Sequence, residues 1–307
     1  NNKAILTSGD VGSLLRSLAI PMVFGMLGMI IFNLVDTYFV GKLGTNQLAA
    51  LTFTFPVVLV IGSLAQGLGM GASSVISRAV GEGEHSKVQR LATDSLILAV
   101  LIVIIFVVIG MFTIEPIFRL LGVNHETMPY VKEYMQIWYL GVIFVVVPMV
   151  GNNAIRALGD TKTPGYVMMI AAGINVVLDP LLILGIGPFP RLEVAGAALA
   201  TVISRALTLI VALYILIIRE KVVTIKPAKL KDIINSWKKI LYIGLPNALT
   251  KMINPIAVGI ITSLVASHGV EAVAGYGVGV RLERFALLLV GALSTILAPF
   301  VGQNFGA

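Results

Sequence analysis

Long apolar stretches alternate with short polar ones along the whole chain. Eight stretches hold about 20 mostly apolar residues each, the length that crosses the hydrocarbon core of a bilayer as an α-helix. Glycine, proline and polar residues fill the connections, as in VGEGEHSK, RALGDTKTP and GPFPRLE. The pattern predicts an all-α membrane protein, a polytopic helix bundle. Its predicted spans have their centres near Met26, Leu64, Val100, Ile143, Ala172, Thr208, Val258 and Leu289.

The longest polar interruption, REKVVTIKPAKLKDIINSWKK, divides the chain into two unequal parts. Its apolar residues Leu230, Ile233, Ile234 and Trp237 recur at helical spacing among lysines, which predicts an amphipathic linker at a membrane surface. We therefore expect a complete six-helix amino-terminal lobe over residues 1–219 and a cytoplasmic linker over 220–239. Residues 240–307 are expected to form the first two helices of a second, incomplete lobe.

An internal repeat links the two predicted lobes. A shift of 225 positions aligns the start of the first lobe with the start of the second without a gap. The overall identity in this register is low, so that chance matches remain the alternative. If the repeat is real, both copies begin with a helix of the same direction, as in a parallel repeat about an axis along the membrane normal. The matched pairs are Pro21 with Pro246, Thr37 with Thr262, Gly44 with Gly269, Ala49 with Ala274 and Gly81 with Gly306.

Composition and charge agree with a membrane location. The 307 residues are 57% hydrophobic and 12% charged, against about 25% charged in soluble domains. The net charge of +7 comes from residues at predicted helix boundaries, which favours membrane topology over nucleic-acid binding. No cysteine is present, so disulfides and thiolate metal sites are excluded. The polar start of the chain lacks the short apolar core of a cleavable signal, so the first span is expected to act as the insertion signal.

The distribution of lysine and arginine predicts the orientation. If the N-terminus is cytoplasmic, fourteen basic residues fall on the inside and four on the outside, as the positive-inside rule requires. We expect a multi-pass protein of the cell inner (plasma) membrane. The inside set is Lys3, Arg16, Arg78, Lys87, Arg90, Arg156, Lys162, Arg219, Lys221, Lys226, Lys229, Lys231, Lys238 and Lys239, and the outside set is Lys42, Arg119, Lys132 and Arg191.

Two carboxylates, Asp36 and Asp179, interrupt predicted spans without a basic residue in the same span. An aspartate at the centre of a membrane helix costs roughly 2.5 to 3.5 kcal/mol, so such residues are functional by default. Asn175 lies one turn before Asp179 on the same helix face, and Asn33 lies one turn before Asp36. Thr201 reaches a similar depth on the next helix. These groups predict a polar site in one lobe; the alternative is a hydrogen-bonded contact that only joins helices.

The other intramembrane charges leave several interpretations open. Arg205 follows Thr201 by one turn and would partner a carboxylate, extend towards the interface or join two helices. Glu283 is expected to be neutralised by Arg281 or Arg284 in a structural role, with substrate contact as the alternative.

Several familiar motifs are weak or absent. GLGMGA, from Gly67 to Ala72, fits a dinucleotide-binding pattern but lies within an apolar helix, where Gly67 and Gly71 favour close helix packing. His85, His125 and His268 lack metal-ligand spacing. Without a Walker loop or an HExxH motif, an enzyme is not indicated, no cofactor is expected, and an ion gradient or a partner must supply any energy.

NLVDTYFVGKLGTNQLAA, RALGDTKTP, GINVVLDPL, GAALATVISR and VGQNFGA together resemble the multidrug and toxic compound extrusion (MATE) antiporters, in particular the prokaryotic DinF-like branch. The resemblance runs from about Ser17 onward. It implies twelve helices in two lobes around a central cleft, so a chain with eight spans is expected to be truncated after the eighth helix.

The resemblance also implies site residues and a function. Asp36, Asn175, Asp179 and Thr201 match the cation site of the amino-terminal lobe, with Tyr134 and Asn152 as neighbours by position. It implies secondary active transport by alternating access, in which a monomer exports a small cationic or amphipathic compound in exchange for H⁺ or Na⁺. The rival hypotheses are a lipid-linked saccharide flippase of the same superfamily and a non-transporting membrane assembly subunit.

Overall fold

The structure is a computed structural model that describes residues 6, 10–120, 123, 125–224, 226, 228–266 and 286–307. Nine α-helices account for most of these residues, and no strand occurs among them. The all-α fold class is thus confirmed. The helices are α1 Val11–Gly41, α2 Thr45–Gly81, α3 His85–Leu120, α4 Met128–Gly141, α5 Ile143–Ala157, α6 Lys162–Leu184, α7 Glu193–Tyr214, α8 Leu230–Ala266 and α9 Leu288–Gly306.

Membrane-spanning character is clear in the first six predicted segments. Five helices are long and apolar enough to cross a bilayer, and α4 with α5 form a sixth span that bends by 42°. The predicted centre of the seventh span, Val258, lies within α8, but that of the eighth, Leu289, lies at the start of α9 and not at its middle. Because short connections join the first six spans, successive spans cross the bundle in alternating directions. We call the end where α1 begins the proximal end and the opposite end the distal end.

Helices α1 and α6 pack side by side and run in the same direction. Thr161, which precedes α6, donates from its Oγ1 to the carbonyl of Leu18, at 3.1 Å. Farther along, a Cβ on Gly28 would lie 3.4 Å from the Cβ of Ala172. Both contacts join residues about 143 positions apart, so small residues at the interface keep the two helices in one register. The same offset relates Asp36 to Asp179.

Helix α7 returns along α6 in the opposite direction. The N–H of Leu192 donates to the carbonyl of Leu182 at 2.9 Å, and a Cβ on Gly196 would lie 2.5 Å from that same carbonyl oxygen. At its proximal end α7 continues as a π-helix, Ile215–Arg219. There Arg219 forms an ion pair with Asp160 in the turn before α6. Burial raises the pKa of Asp160, but hydrogen bonds from Arg219 and Thr163 lower it by more, so this pKa lies below its ordinary value.

Helix α8 lies against α2 through small residues. A Cβ on Gly67 would lie 2.5 Å from both the Cβ of Ala248 and the carbonyl oxygen of Gly244, and one on Gly71 would meet the Ile240 carbonyl. The predicted role of Gly67 and Gly71 in close helix packing is confirmed. Helix α8 starts at Leu230, so the amphipathic stretch expected in the linker forms its first turns.

Two side-chain amides, of Gln303 and Asn304, fasten the proximal end of α9 to the first lobe. Gln303 is fully buried, its Nε2 donates to the carbonyl of Ala157 at 2.7 Å, and its Oε1 accepts from the N–H of Leu6 at 3.1 Å. Asn304 donates to the carbonyl of Leu6 at 2.9 Å. These bonds hold α5, α9 and the segment before α1 together at the proximal end of the bundle.

Some sequence predictions fall outside the described residues. They concern Arg281, Glu283 and Arg284, the loop residue His268, and the repeat partners Gly269 and Ala274.

Candidate functional site

The two intramembrane carboxylates lie at one level between α1 and α6. Asp36 is 8% exposed and Asp179 is fully buried. Each stands five residues before the distal end of its helix, about 8 Å by helical rise, and the constant offset between the parallel helices places them side by side. The packing of α1 on α6 therefore forms a pair of acids inside the bundle.

Asn175 joins the acid pair to α7. In the orientation that satisfies both neighbours, its amide nitrogen donates to Oδ2 of Asp179 at 3.0 Å, and its amide oxygen accepts from the backbone N–H of Thr201 at 3.3 Å. Asn175 is 1% exposed and Thr201 is 8% exposed. The one-turn spacing of Asn175 and Asp179 makes the first contact, and the antiparallel packing of α7 makes the second.

Neither acid has a cationic partner among the described residues. Oδ1 of Asp36 is buried without a hydrogen-bond partner. Asp94 provides the contrast, since it is fully buried in α3 but forms an ion pair with Arg90 one turn earlier. A buried carboxylate without a basic partner is stabilised by a proton or by a bound cation. This difference sets Asp36 and Asp179 apart from the structural acid Asp94.

The oxygen atoms near the pair suit a small hard cation as well as a proton. Two carboxylates and the hydroxyl of Thr201 come from three helices. Pro180, directly after Asp179, has no N–H, so the carbonyl of Val176 loses its helical donor. Backbone carbonyls freed in this way contribute to Na⁺ sites in transporters. Groups of three or more acids, histidines or cysteines with metal-binding geometry are absent from the described ranges, so a transition-metal centre is not indicated.

The three further site residues lie in different surroundings. Tyr134 is buried in α4, and the charges of both Asp36 and Asp179 act on it, so it belongs to the neighbourhood of the pair. Asn152 is buried in α5, and within the residues described no hydrogen bond joins it to the acids or to Asn175. Asn33 is exposed and donates to the carbonyl of Met29 in its own helix, at 2.7 Å.

One buried acid, Asp94, and the contact of one basic residue, Arg205, with an aromatic ring were not predicted from the sequence. Asp94 was overlooked, although Arg90 at the i−4 position is a signal that a buried ion pair would leave. Arg205 pairs with neither carboxylate; its guanidinium carbon lies 5.8 Å from the centre of the Phe32 ring, so it joins α7 to α1, one of the roles expected for it. The sequence carries no signal for that contact, since Phe32 belongs to the first helix and Arg205 to the seventh.

Comparisons with known proteins give one consistent family. The sequence profile of the MatE family matches residues 21–181. The chain is 41% identical over 302 residues to a protein of Shewanella oneidensis named FAD transporter, covering 98% of this chain and 67% of that protein. It is 27% identical over 290 residues to the multidrug export protein MepA of Staphylococcus aureus, covering 94% of this chain and 63% of that protein.

Solved structures give the same result. A mutant of the Vibrio cholerae MATE transporter VcmN superposes with a TM-score of 0.91 at 29% identity, covering 96% of this chain and 66% of that chain. A transporter of the MOP superfamily from Pyrococcus furiosus superposes with a TM-score of 0.89 at 29% identity, covering all of this chain and 67% of the other. The chain thus spans about two thirds of the length of these relatives.

Proposed function

The chain belongs to the MatE family of membrane transporters, and from this premise we propose that it works in the export of small organic compounds in exchange for a cation bound at Asp36 and Asp179. The exchanged cation is H⁺ or Na⁺. The chain is an integral membrane protein. The charge asymmetry between helix ends supports a cytoplasmic N-terminus, and we propose a plasma-membrane protein that acts as a monomer.

One observation carries the proposal. Two acids from parallel helices lie together inside the bundle without a basic partner in the described sequence, and one oxygen of Asp36 has no hydrogen-bond partner. A buried acid with only a structural role would have its carboxylate satisfied within the protein, as Arg90 satisfies Asp94. An unsatisfied acid pair instead favours reversible occupation by a cation.

The position of the pair suggests how occupation would act on transport. Asp36 lies on α1 and Asp179 on α6, two helices that pack side by side in the same direction. Pro180 interrupts the backbone hydrogen bonding of α6 directly beside the site. Binding a proton or Na⁺ removes the repulsion between the two carboxylates and lets α1 and α6 pack more closely. Release of the cation reverses this change. The two packings are the alternating states that antiport requires.

The names of the relatives suggest two kinds of transported compound. Relatives at 27% identity are named multidrug export proteins, but the relative at 41% identity is named a FAD transporter. We therefore propose an amphipathic aromatic cargo, with flavin nucleotides as the second candidate beside drug-like compounds. A cationic cargo, expected from the family resemblance, is less well supported, because the site region also contains Arg205.

Transport by the protein in proteoliposomes tests the proposal. A pH gradient and a Na⁺ gradient are imposed separately, and movement of ethidium and of FAD is followed by fluorescence. We expect one of the two gradients to drive accumulation of cargo, and an ionophore that dissipates that gradient to stop it. Cargo movement that is indifferent to both gradients would contradict cation exchange.

A further inference from the structure

Arg205 lies at the middle of the membrane-spanning part of α7. It stands 12 residues after Glu193 and 14 residues before Arg219, about 18 and 21 Å from these positions by helical rise. An arginine at this depth is too far from either interface to place its charge in water or beside lipid head groups. A charged residue in such a position is functional by default, and its partner must be found within the protein or supplied by a ligand.

The protein gives Arg205 an aromatic contact but no hydrogen-bond acceptor among the described residues. The guanidinium of Arg205 lies over the Phe32 ring, and within the parts of the chain that the structure covers it has neither an ion pair nor a hydrogen bond. Asp36 and Asp179 lie about 10 Å nearer the distal end, because Arg205 is level with Ala171 and Ala172 on α6. The contact with Phe32 holds the group in place but leaves its N–H donors without acceptors.

The side chain of Arg205 lines a small pocket between α1, α6 and α7. Met29 and Phe32 of α1 form an apolar wall, while Asn175 and Ser204 form a polar one. Asn175 lines this pocket and also bonds to Asp179, so the pocket and the acid pair share a wall. A ligand in the pocket would touch the same amide that orients the cation site.

We propose that Arg205 binds a phosphate or carboxylate group of the transported compound at the centre of the membrane, so that the cargo is an anion. Guanidinium offers a planar fork of donors that matches phosphate and carboxylate oxygens, and Phe32 fixes the plane of that fork. The pocket has a volume of about 10 Å³, room for roughly one water molecule, so it admits an oxygen atom of the anionic group while the rest of the compound lies outside it. The inference rests on the proposed export function and names its substrate class.

Flavin mononucleotide and riboflavin provide the probes, since they share one ring system and differ by a phosphate. Their dissociation constants are measured by quenching of flavin fluorescence with the purified protein in nanodiscs. We expect wild-type protein to prefer flavin mononucleotide. Arg205→Gln should weaken binding of flavin mononucleotide by roughly tenfold to a hundredfold, the range for a hydrogen bond to a charged group, and should remove the preference. Arg205→Lys keeps the charge without the fork, and its affinity should fall between the two.

Arg191→Gln is the matched control, because it removes the same charge from an exposed distal loop. Its affinities should equal those of wild type. The inference is overturned if Arg205→Gln binds flavin mononucleotide as wild type does, or if both flavins lose affinity by the same factor. If Arg205→Gln does not elute as a folded species, Arg205→Lys decides, and wild-type affinity in that variant overturns the inference.

The transport assay separates this inference from the export proposal. Wild-type protein that moves ethidium with a cation gradient but binds the two flavins equally overturns the role of Arg205 and leaves export intact. Wild-type protein that prefers flavin mononucleotide through Arg205 but moves no cargo with either gradient supports the binding site and contradicts cation-driven export.

Discussion

Asp179→Asn is expected to uncouple transport from the cation gradient. The amide keeps the shape of the carboxyl group but neither releases a proton nor gives a cation a negative ligand. Gradient-driven accumulation should fall by about 5-fold to 150-fold, the range of coupling between two sites in one protein. Asp36→Asn should do the same, because the two acids form one site. The measurement is the initial rate of ethidium or FAD accumulation in proteoliposomes.

Asp232→Asn is the matched control for this loss. Asp232 is an exposed aspartate in the first turn of α8, so the same chemical change there lies outside the site. It should leave accumulation at the wild-type rate. If Asp179→Asn and Asp36→Asn both accumulate cargo as fast as Asp232→Asn, the acids are packing residues and the coupling role is wrong.

Gly67→Val is expected to be the most destabilising of the substitutions considered. A Cβ at this position would lie 2.5 Å from the Cβ of Ala248 and 2.5 Å from the Gly244 carbonyl oxygen, so α8 must move away from α2. Overpacking of this kind costs about 1 to 3 kcal/mol, and backbone atoms give way less easily than side chains. The measurement is the temperature of unfolding in detergent, followed by the loss of the monodisperse elution peak.

Gly62→Val provides the control on the same helix. A Cβ at Gly62 meets no atom within 4 Å, so the identical substitution should leave the unfolding temperature close to that of wild type. Equal losses at the two positions would show that the effect arises from the helix itself and would contradict the close contact of α2 with α8.

The helices could be predicted from the sequence because a bilayer restricts the backbone conformations that a spanning segment can adopt. Backbone groups must be satisfied within the hydrocarbon core, so each long apolar stretch forms a helix, and polar turns separate them. The bend between α4 and α5 was not predicted, since no charge or polar cluster marks Val142. Nor did the sequence show that α8 continues directly from the amphipathic stretch at Leu230, because lysines on one face fit a surface helix as well as the start of a span.

The candidate site was accessible from sequence for a different reason. Asp36 and Asp179 stand out energetically in apolar surroundings, and the one-turn spacing of Asn175 and Asp179 places them on one face. Their proximity, however, depends on the parallel packing of α1 and α6, which small residues such as Gly28 and Ala172 allow but do not specify. The contact of Arg205 with Phe32 depends on the same packing. Charged residues and their local spacing can be identified in a sequence. Which helices pack against each other cannot be predicted from it when they are far apart along the chain.

Cation release on cargo binding tests the central claim most directly. Purified protein loaded with isotopic Na⁺ in a weakly buffered solution with a pH indicator is mixed with flavin mononucleotide, and release of Na⁺ and H⁺ is recorded together. Wild-type protein should release one of the two ions as cargo binds, and Asp179→Asn should release neither while still folding. Equal release from wild type and Asp179→Asn would contradict a coupling-cation site at Asp36 and Asp179.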